Sequence, residues 1–194
     1  LRAAADRKIQ LMLPLVTQVE EVTQAREMLL EEALKLAREG VRAAASVPVG
    51  VMIETHAAAI LADQLAQHSA FFSVGTNDLV QYTLAVDRGN ARLADRFTPH
   101  HPAVVRQLKG IVEAGQRAGI GVSVCGEMAS DPLSVVLLMG LGYRCLSVGP
   151  PAIPLVKWVV RMVPVAVAEA AAAAALAADR PAEVTRALQE AVKD

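Results

Sequence analysis

The sequence predicts an α/β domain in which parallel strands are joined by crossover helices. Short apolar segments rich in β-branched residues alternate five times with helical patterns along the 194 residues, an order that produces parallel strands. These segments are apolar throughout rather than alternating, which is typical of strands covered on both faces. No G-x-G-x-x-G motif follows the first of them. Two folds remain open: a doubly wound sheet, and the C-terminal part (about five β/α units) of a TIM-type (β/α)8 barrel, which needs about 250 residues when complete.

The strands and helices are predicted in regular succession. The first helix is amphipathic, with apolar residues at helical spacing and Gly40 as its stop. Pro102 suits the first turn of the third helix, and Asp131 is the expected N-cap of the fourth. The strands are predicted at residues 8–16, 47–55, 70–76, 121–126 and 144–150. The helices between them are predicted at residues 19–40, 57–68, 101–119 and 131–142.

The last part of the chain is predicted to be helical. Residues 152–163, 164–179 and 181–194 show helical patterns separated by prolines. We therefore expect one domain over residues 1–194, with a helical C-terminal segment at 152–194. The opening "LRAAADRKIQ" has no initiator Met and looks like the end of a helix, which suggests a piece of a longer protein.

Composition excludes several classes of function. The net charge of −1 and an aromatic content of 3% argue against a nucleic-acid-binding protein that depends on phosphate contacts. Two cysteines provide neither a disulfide framework nor a zinc-binding spacing, which favours a reduced, cytoplasmic protein. The apolar tract at 150–178 is interrupted by Lys157, Arg161 and Glu169, so we expect no membrane span there.

Polar side chains follow the second, third and fourth predicted strands. Glu54 ends the second strand, Asn77 and Asp78 follow the third, and Cys125 ends the fourth. The carboxyl ends of parallel strands meet at one edge of the sheet, so these residues are expected to converge. Two neighbouring carboxylates repel each other unless a cation lies between them, and Mg²⁺ prefers one or two carboxylate ligands. Capping of the following helices is an equally open role for Glu54 and Asp78.

Arg88 and the two cysteines each allow two interpretations. The Arg88 guanidinium suits a phosphate or carboxylate ligand, but a surface ion pair with Asp87 is the simpler role. Cys125 is either a small buried apolar residue or an acid. A free thiol titrates near about pH 8.5, so it is mostly protonated at pH 7 and can deliver a proton to an enolate. Cys145, inside the fifth predicted strand, is interpreted as a packing residue.

Three stretches carry a specific resemblance to a known family. "GVMIETHAAA", "FFSVGTNDLVQYTLAVDRGN" and "GVSVCGEMASDP" resemble the phosphoenolpyruvate (PEP)-binding C-terminal domain of Enzyme I, the PEP–protein phosphotransferase of the bacterial sugar phosphotransferase system. The similarity covers nearly the whole chain and is weakest over about the last 40 residues. "GTNDL" is shared with pyruvate phosphate dikinase and PEP synthase, whereas "AVDRGN" and "CGEMA" favour Enzyme I or a multidomain protein that carries the same module.

The resemblance implies a fold, a reaction and a set of site residues. It implies a (β/α)8 barrel that binds PEP and Mg²⁺ and forms a homodimer. Glu54 and Asp78 match the family's Mg²⁺ ligands, and Asn77, Asp78 and Arg88 match its PEP contacts. Cys125 matches the general acid that protonates the enolate to pyruvate. A His on another domain accepts the phosphoryl group and passes it to the carrier protein HPr.

The sequence also departs from the family pattern. His56 stands where the family usually has Pro, next to an expected metal ligand. The family's first three barrel strands, which carry further PEP-binding arginines, and its phospho-accepting domain have no counterpart in this sequence. Two alternatives therefore stay open. One is a Mg²⁺-dependent aldolase or lyase of the same barrel superfamily that acts through pyruvate enolate, and the other is a non-catalytic dimerisation fragment.

Overall fold

A computed structural model describes residues 1–193 of the chain. Strands and helices alternate through the first two thirds, and helices follow. The strands are β1 (Leu11–Leu13), β2 (Val49–Ile53), β3 (Phe71–Gly75) and β4 (Gly121–Cys125). The helices are α1 (Val19–Arg38), α2 (His56–Ile60), α3 (Ala62–His68), α4 (Thr76–Leu84), α5 (Pro102–Ala118), α6 (Pro132–Leu141), α7 (Ile153–Met162), α8 (Val165–Ala177) and α9 (Pro181–Glu190).

The sheet has the winding of a barrel rather than that of a doubly wound fold. All strand pairs are parallel, and the strands lie in the order β1-β2-β3-β4. Each crossover therefore moves one strand further in the same direction, whereas a doubly wound sheet reverses direction at a switch point. The α/β fold with parallel strands is thus confirmed, and of the two closures the structure has that of a partial (β/α)8 barrel.

Two predicted strands are shorter than expected. The fifth, at 144–150, is reduced to a single bridge in which Leu146 pairs with Val124, and Pro150 and Pro151 supply no N–H groups to extend it. The first ends at Leu13 because Pro14 follows, and Leu15 then takes a left-handed conformation with φ of 54°.

The two faces of the sheet differ in burial, so the prediction that both are covered was correct for one face only. At the centre of the helix-covered face, five strand residues are at most 1% exposed: Val51, Ile53, Phe72, Val74 and Val124. Leu11 is on the same face at the edge of the sheet and is 38% exposed. The opposite face, which corresponds to a barrel interior, carries Met12 at 38% exposure and Phe71, Met52 and Ser123 at intermediate exposure. The strand sequences are apolar at successive positions because one face is buried and the other, open face carries Met and Phe residues as well.

The predicted helices are confirmed, with shifts at their ends. Asp131 caps α6, since its Oδ2 accepts the Ser134 N–H at 2.8 Å. The helix predicted at 57–68 is interrupted at Leu61, between α2 and α3. Helix α4 was not assigned in the sequence, although it carries Asn77 and Asp78 in its first turn.

No single helix in residues 1–193 has the length and hydropathy to cross a bilayer. Only a pair of segments taken together, Pro150–Met162 and Val165–Ala177, meets those two criteria, and they are bent by 97° relative to each other.

A histidine in the loop before α5 joins α6 to α9. His100 Nδ1 lies 3.1 Å from Thr185 Oγ1 and Nε2 lies 3.0 Å from Ser134 Oγ. The Thr185 hydroxyl donates to the Pro181 carbonyl oxygen at 3.1 Å, so it accepts from His100 Nδ1–H. In a neutral imidazole with this tautomer, Nε2 is unprotonated and accepts from the Ser134 hydroxyl.

The His100 contacts predict a pH dependence of stability. Burial lowers the pKa of His100, and Asp131 only partly opposes this. The unfolded chain therefore binds the proton first as pH falls, and the free energy of unfolding decreases below about pH 6.5. Urea titrations between about pH 7.5 and 5.5 test this. His100→Gln should show a weaker dependence on pH over that range, and an unchanged dependence would contradict the assignment.

Candidate functional site

The ends of three neighbouring strands bring a carboxylate and a thiol into one row. Ile53 is paired with Val74, and Gly75 is paired with Cys125. Glu54 therefore follows directly beside Gly75, and Glu54, Gly75 and Cys125 lie across the sheet on the open face. Neighbouring strands are about 4.8 Å apart, so Gly75 leaves a gap between the acidic and the thiol-bearing strand ends.

Glu54 is fixed by the loop that follows β1. The side chain is 3% exposed, and its Oε1 accepts the Leu15 N–H at 2.8 Å. The Thr55 hydroxyl donates to the Val16 carbonyl oxygen at 2.6 Å, which ties the same two loops together. The left-handed backbone of Leu15 is thus part of the arrangement that orients this carboxylate.

The second carboxylate oxygen of Glu54 faces the gap at Gly75. A Cβ placed on Gly75 would lie 2.7 Å from Glu54 Oε2 and 2.9 Å from Glu54 Cβ, so only glycine leaves this space free. Burial raises the pKa of Glu54; the Leu15 N–H lowers it, and the nearby Asp78 carboxyl raises it further. Two carboxyl groups close enough to interact in this way are stabilised by a cation between them.

The donor set fits magnesium better than a transition metal. Within residues 1–193, no group of three or more His, Cys, Asp or Glu side chains is arranged to hold a metal. A cation held by Glu54 and Asp78 would complete its coordination with water or substrate oxygens, as Mg²⁺ commonly does. Gly75 leaves space beside Glu54 Oε2, because the Cβ of any other residue there would lie 2.7 Å from that oxygen.

Cys125 is half-buried, and its thiol has two partners on β3. Its Sγ lies 3.4 Å from the Ser73 hydroxyl, which donates to it, and 3.4 Å from the Val74 carbonyl oxygen, to which it donates. These contacts hold the sulfur on the open face of the sheet. The Ser73 hydroxyl and the Val74 carbonyl oxygen are thus the two hydrogen-bond partners of this thiol among the described residues.

Asn77 lines an open cleft. Its Oδ1 accepts the main-chain N–H of Glu127 at 3.0 Å, so the oxygen is turned inward. The cleft has a volume of about 590 Å³ and is lined by Asn77, Gly126, Glu127, Ser130, Asp131, Pro132, Ser147 and Gly149. Asn77 can therefore donate to an anion, as a phosphate contact must.

Arg88 lies on the loop after α4 and is exposed. Its main-chain N–H donates to Gln81 Oε1 at 3.1 Å. Among the described residues, its guanidinium has no ion pair, and the Asp87 carboxylate accepts the Gly89 N–H at 2.8 Å instead. The surface pair with Asp87 is thus absent from residues 1–193, and the structure does not bring the Arg88 side chain into contact with Asn77 or Asp78.

The structure corrects the interpretation of Cys145 and adds a contact for His56. Cys145 is exposed, so its assignment as a packing residue was wrong; its strand is reduced to a single bridge at the edge of the sheet. His56, which stands where the family usually has Pro, begins α2, and its Nδ1 lies 3.3 Å from Gln107 Oε1.

Sequence reasoning missed the residues that orient the others. Leu15 acts through its main-chain N–H, which no sequence pattern indicates. Ser73 had a detectable signal: it is the polar residue of "FFSVG" and shares a face with Gly75 at a period of two. Thr76 stands next to Asn77, and its hydroxyl donates to the Cys125 carbonyl oxygen at 2.9 Å.

The chain is similar in sequence to known phosphotransferases. Phosphoenolpyruvate-protein phosphotransferases of Bacillus sp. (strain S), Listeria monocytogenes and Bacillus subtilis are 44%, 44% and 41% identical to the chain over 142 residues. Each match covers 73% of this chain and 25% of the relative. The chain thus spans about a quarter of the length of these relatives.

Solved structures show the same fold at low sequence identity. An aldolase/citrate lyase family protein from Burkholderia cenocepacia has a TM-score of 0.54 at 18% identity, covering 78% of this chain and 62% of that one. A citrate lyase from Burkholderia xenovorans has a TM-score of 0.53 at 21% identity, covering 99% and 65%. The model of the family "PEP-utilising enzyme, PEP-binding domain" matches residues 1–165. The chain belongs to this family of PEP-binding domains.

Proposed function

We propose that the chain is the PEP- and Mg²⁺-binding part of a PEP–protein phosphotransferase. The observation that carries the proposal is the row formed by Glu54, Gly75 and Cys125, with Asp78 and Asn77 in the first turn of the adjoining α4. A carboxylate pair, an anion donor and a thiol acid at neighbouring strand ends are the groups needed to bind PEP and to protonate its enolate. The family and the phosphotransferase relatives support the same conclusion.

The proposed binding roles follow from which atoms remain free. Glu54 Oε2 and the Asp78 carboxylate hold the metal, since Glu54 Oε1 is occupied by Leu15. When bound, Mg²⁺ neutralises charge on the phosphate and carboxylate oxygens of PEP. The Asn77 NH₂ group donates to the phosphate. Arg88 is proposed as a second phosphate contact on the basis of the "AVDRGN" sequence, because its loop lies directly after α4.

Cys125 is proposed as the acid of the second half-reaction. Phosphoryl transfer breaks the bond between phosphorus and the bridging oxygen and leaves pyruvate enolate. The Sγ–H bond of Cys125 then breaks as its proton bonds to the methylene carbon, which gives pyruvate and a thiolate. Ser73 donates a hydrogen bond to that thiolate, and solvent restores the proton after release.

Several partners belong to the same proposal. The phosphoryl acceptor is a His on another domain, and HPr receives the group from it for sugar transport. The two free cysteines suit the reducing cytoplasm. A homodimer is supported by exposed apolar side chains on α7, among them Trp158 at 60% and Met162 at 61% exposure; a monomer at all concentrations in light scattering would refute it.

The experiment that tests the function is a stoichiometric assay. A full-length protein carrying this chain, supplied with PEP, Mg²⁺ and HPr, should release one pyruvate for each phospho-HPr formed. Pyruvate release from a hydroxy acid or an acyl-CoA, without turnover of PEP, would instead support the lyase alternative. The likeness to citrate lyase structures does not favour that alternative, since at 18–21% identity it concerns the fold alone.

A further inference from the structure

Thr76 connects the end of β3 to the end of β4 and does not line the cleft beside Asn77. It is the first residue of α4 and has 0% exposure, so it cannot contact a substrate. Its hydroxyl donates to the main-chain carbonyl oxygen of Cys125 at 2.9 Å. The residue that precedes Asn77 therefore holds the backbone of Cys125 on the neighbouring strand.

Gly126 makes this close approach feasible. Its φ of 94° and ψ of −176° lie in a region that is open essentially only to glycine. A Cβ at this position would overlap the Thr76 hydroxyl and would lie 3.0 Å from Asn77 Oδ1. The chain thus turns away from β4 while remaining in contact with Thr76 and Asn77.

A second hydrogen bond lies on the other side of Gly126. The Glu127 N–H donates to Asn77 Oδ1 at 3.0 Å. Two consecutive residues of α4, Thr76 and Asn77, are therefore bonded to the residues on either side of Gly126. These two bonds fix the relative position of the Asn77 amide and the backbone that carries the Cys125 thiol.

We infer that Thr76 is a positioning residue that aligns the proton donor with the bound substrate. The inference rests on the proposed function, in which Asn77 holds the phosphate end of PEP and Cys125 protonates its methylene carbon. Asn77 lies in the first turn of α4 and Cys125 at the end of β4, so the separation of the two side chains depends on the contacts between these two segments. One of these contacts is the hydrogen bond from the Thr76 hydroxyl to the Cys125 carbonyl oxygen. The other is the hydrogen bond from the Glu127 N–H to Asn77 Oδ1.

The expected effect concerns proton transfer rather than binding. Reacting atoms must come within about 3–3.5 Å, and a displacement of about 1 Å can slow a step about 100-fold. Loss of the Thr76 hydroxyl leaves the bond between Glu127 and Asn77 in place, so PEP binding is preserved. An interaction that aligns only the proton donor lowers the rate of that step while leaving KM for PEP unchanged.

Thr76→Val tests the inference, because it keeps the branched shape and removes the hydroxyl. In the full-length protein with Mg²⁺, we measure exchange of the pyruvate methyl protons for solvent deuterium, which runs the Cys125 step in reverse. We expect exchange to fall about 10- to 100-fold, with KM for PEP unchanged and with Thr76→Ser close to the wild type. Thr76→Ala, which also lacks the hydroxyl, should be equally slow and serves if Thr76→Val folds poorly.

Two results would overturn the inference. One is wild-type exchange in both variants that lack the hydroxyl, and the other is an equal loss in Thr76→Ser, since a purely steric role would then suffice. Cys125→Ala in the same assay separates this inference from the proposed function. Wild-type exchange in Cys125→Ala would remove the proposed acid itself, whereas lost exchange there together with unchanged Thr76→Val would remove only the role of Thr76.

Discussion

Replacing Cys125 with serine in the full-length protein is expected to slow pyruvate formation about 10²- to 10⁴-fold if Cys125 is the proposed general acid, since that is the usual contribution of such a group. A hydroxyl is a far weaker acid than a thiol, so it cannot protonate the enolate carbon at a comparable rate. The substitution changes one atom and keeps the position on β4, where the thiol lies 3.4 Å from the Ser73 hydroxyl. Metal and PEP binding, which we propose to depend on Glu54, Asp78 and Asn77, should be preserved.

The second cysteine provides the control for this prediction. Cys145 is exposed at the edge of the sheet, so Cys145→Ser should change the rate by about two-fold or less. Pyruvate is measured by a coupled assay in the steady state, and PEP binding by calorimetry. Pyruvate formation at the normal rate in Cys125→Ser would show that another group, or solvent, protonates the enolate.

Replacing Gly140 with alanine is expected to produce the largest loss of stability among single methyl additions. Helix α6 crosses α8 at this position, and a Cβ on Gly140 would overlap the Ala168 carbonyl oxygen and lie 2.7 Å from Ala172 Cβ. The obstacle is largely backbone, so the helices must separate. Overpacking of this kind lowers the free energy of unfolding by about 1–3 kcal/mol, which corresponds to a decrease in Tm of roughly 2–4 °C per kcal/mol for a chain of this size.

Gly110 is the matched control for Gly140. It also lies within a helix, α5, and no atom lies within 4 Å of a Cβ placed on it. Gly110→Ala should therefore raise the free energy of unfolding by about 0.5–1 kcal/mol, because alanine favours the helix. Urea denaturation of both variants measures the two effects. If neither variant loses stability, the close packing of α6 on α8 is contradicted.

The fold was predictable where local chemistry decides it. The helix ends at Gly40, Pro102 and Asp131 follow from the backbone preferences of those residues, and the structure has them. The fifth strand was overestimated because its pairing depends on a neighbouring strand rather than on its own composition. Helix α4 was missed because "GTNDL" begins it immediately after β3, with no loop between them.

The candidate site was predictable in its side chains but not in the backbone contacts that orient them. Glu54, Asn77, Asp78 and Cys125 lie near one edge of the sheet because each ends or follows a parallel strand, and sequence order alone indicates this. The Arg88 side chain, by contrast, is exposed and does not contact Asn77 or Asp78. Contacts made by main-chain atoms depend on tertiary geometry. The Leu15 N–H that holds Glu54 is one example, and neither its left-handed conformation nor its partner is encoded in a local pattern.

We propose that Glu54 and Asp78 together bind the Mg²⁺ that holds PEP. The most direct test of this proposal is calorimetric titration of PEP into this chain with and without Mg²⁺, for the wild type and for Glu54→Gln combined with Asp78→Asn. The double variant removes two mutually repelling carboxylates and keeps their shapes, so we expect it to fold. Glu31→Gln with Asp63→Asn removes two exposed carboxylates and serves as the control. We expect PEP to bind in a Mg²⁺-dependent manner to the wild type and to the control, and we expect this binding to be lost in the double variant. Mg²⁺-dependent binding of PEP that persists in the double variant would contradict the proposed metal site.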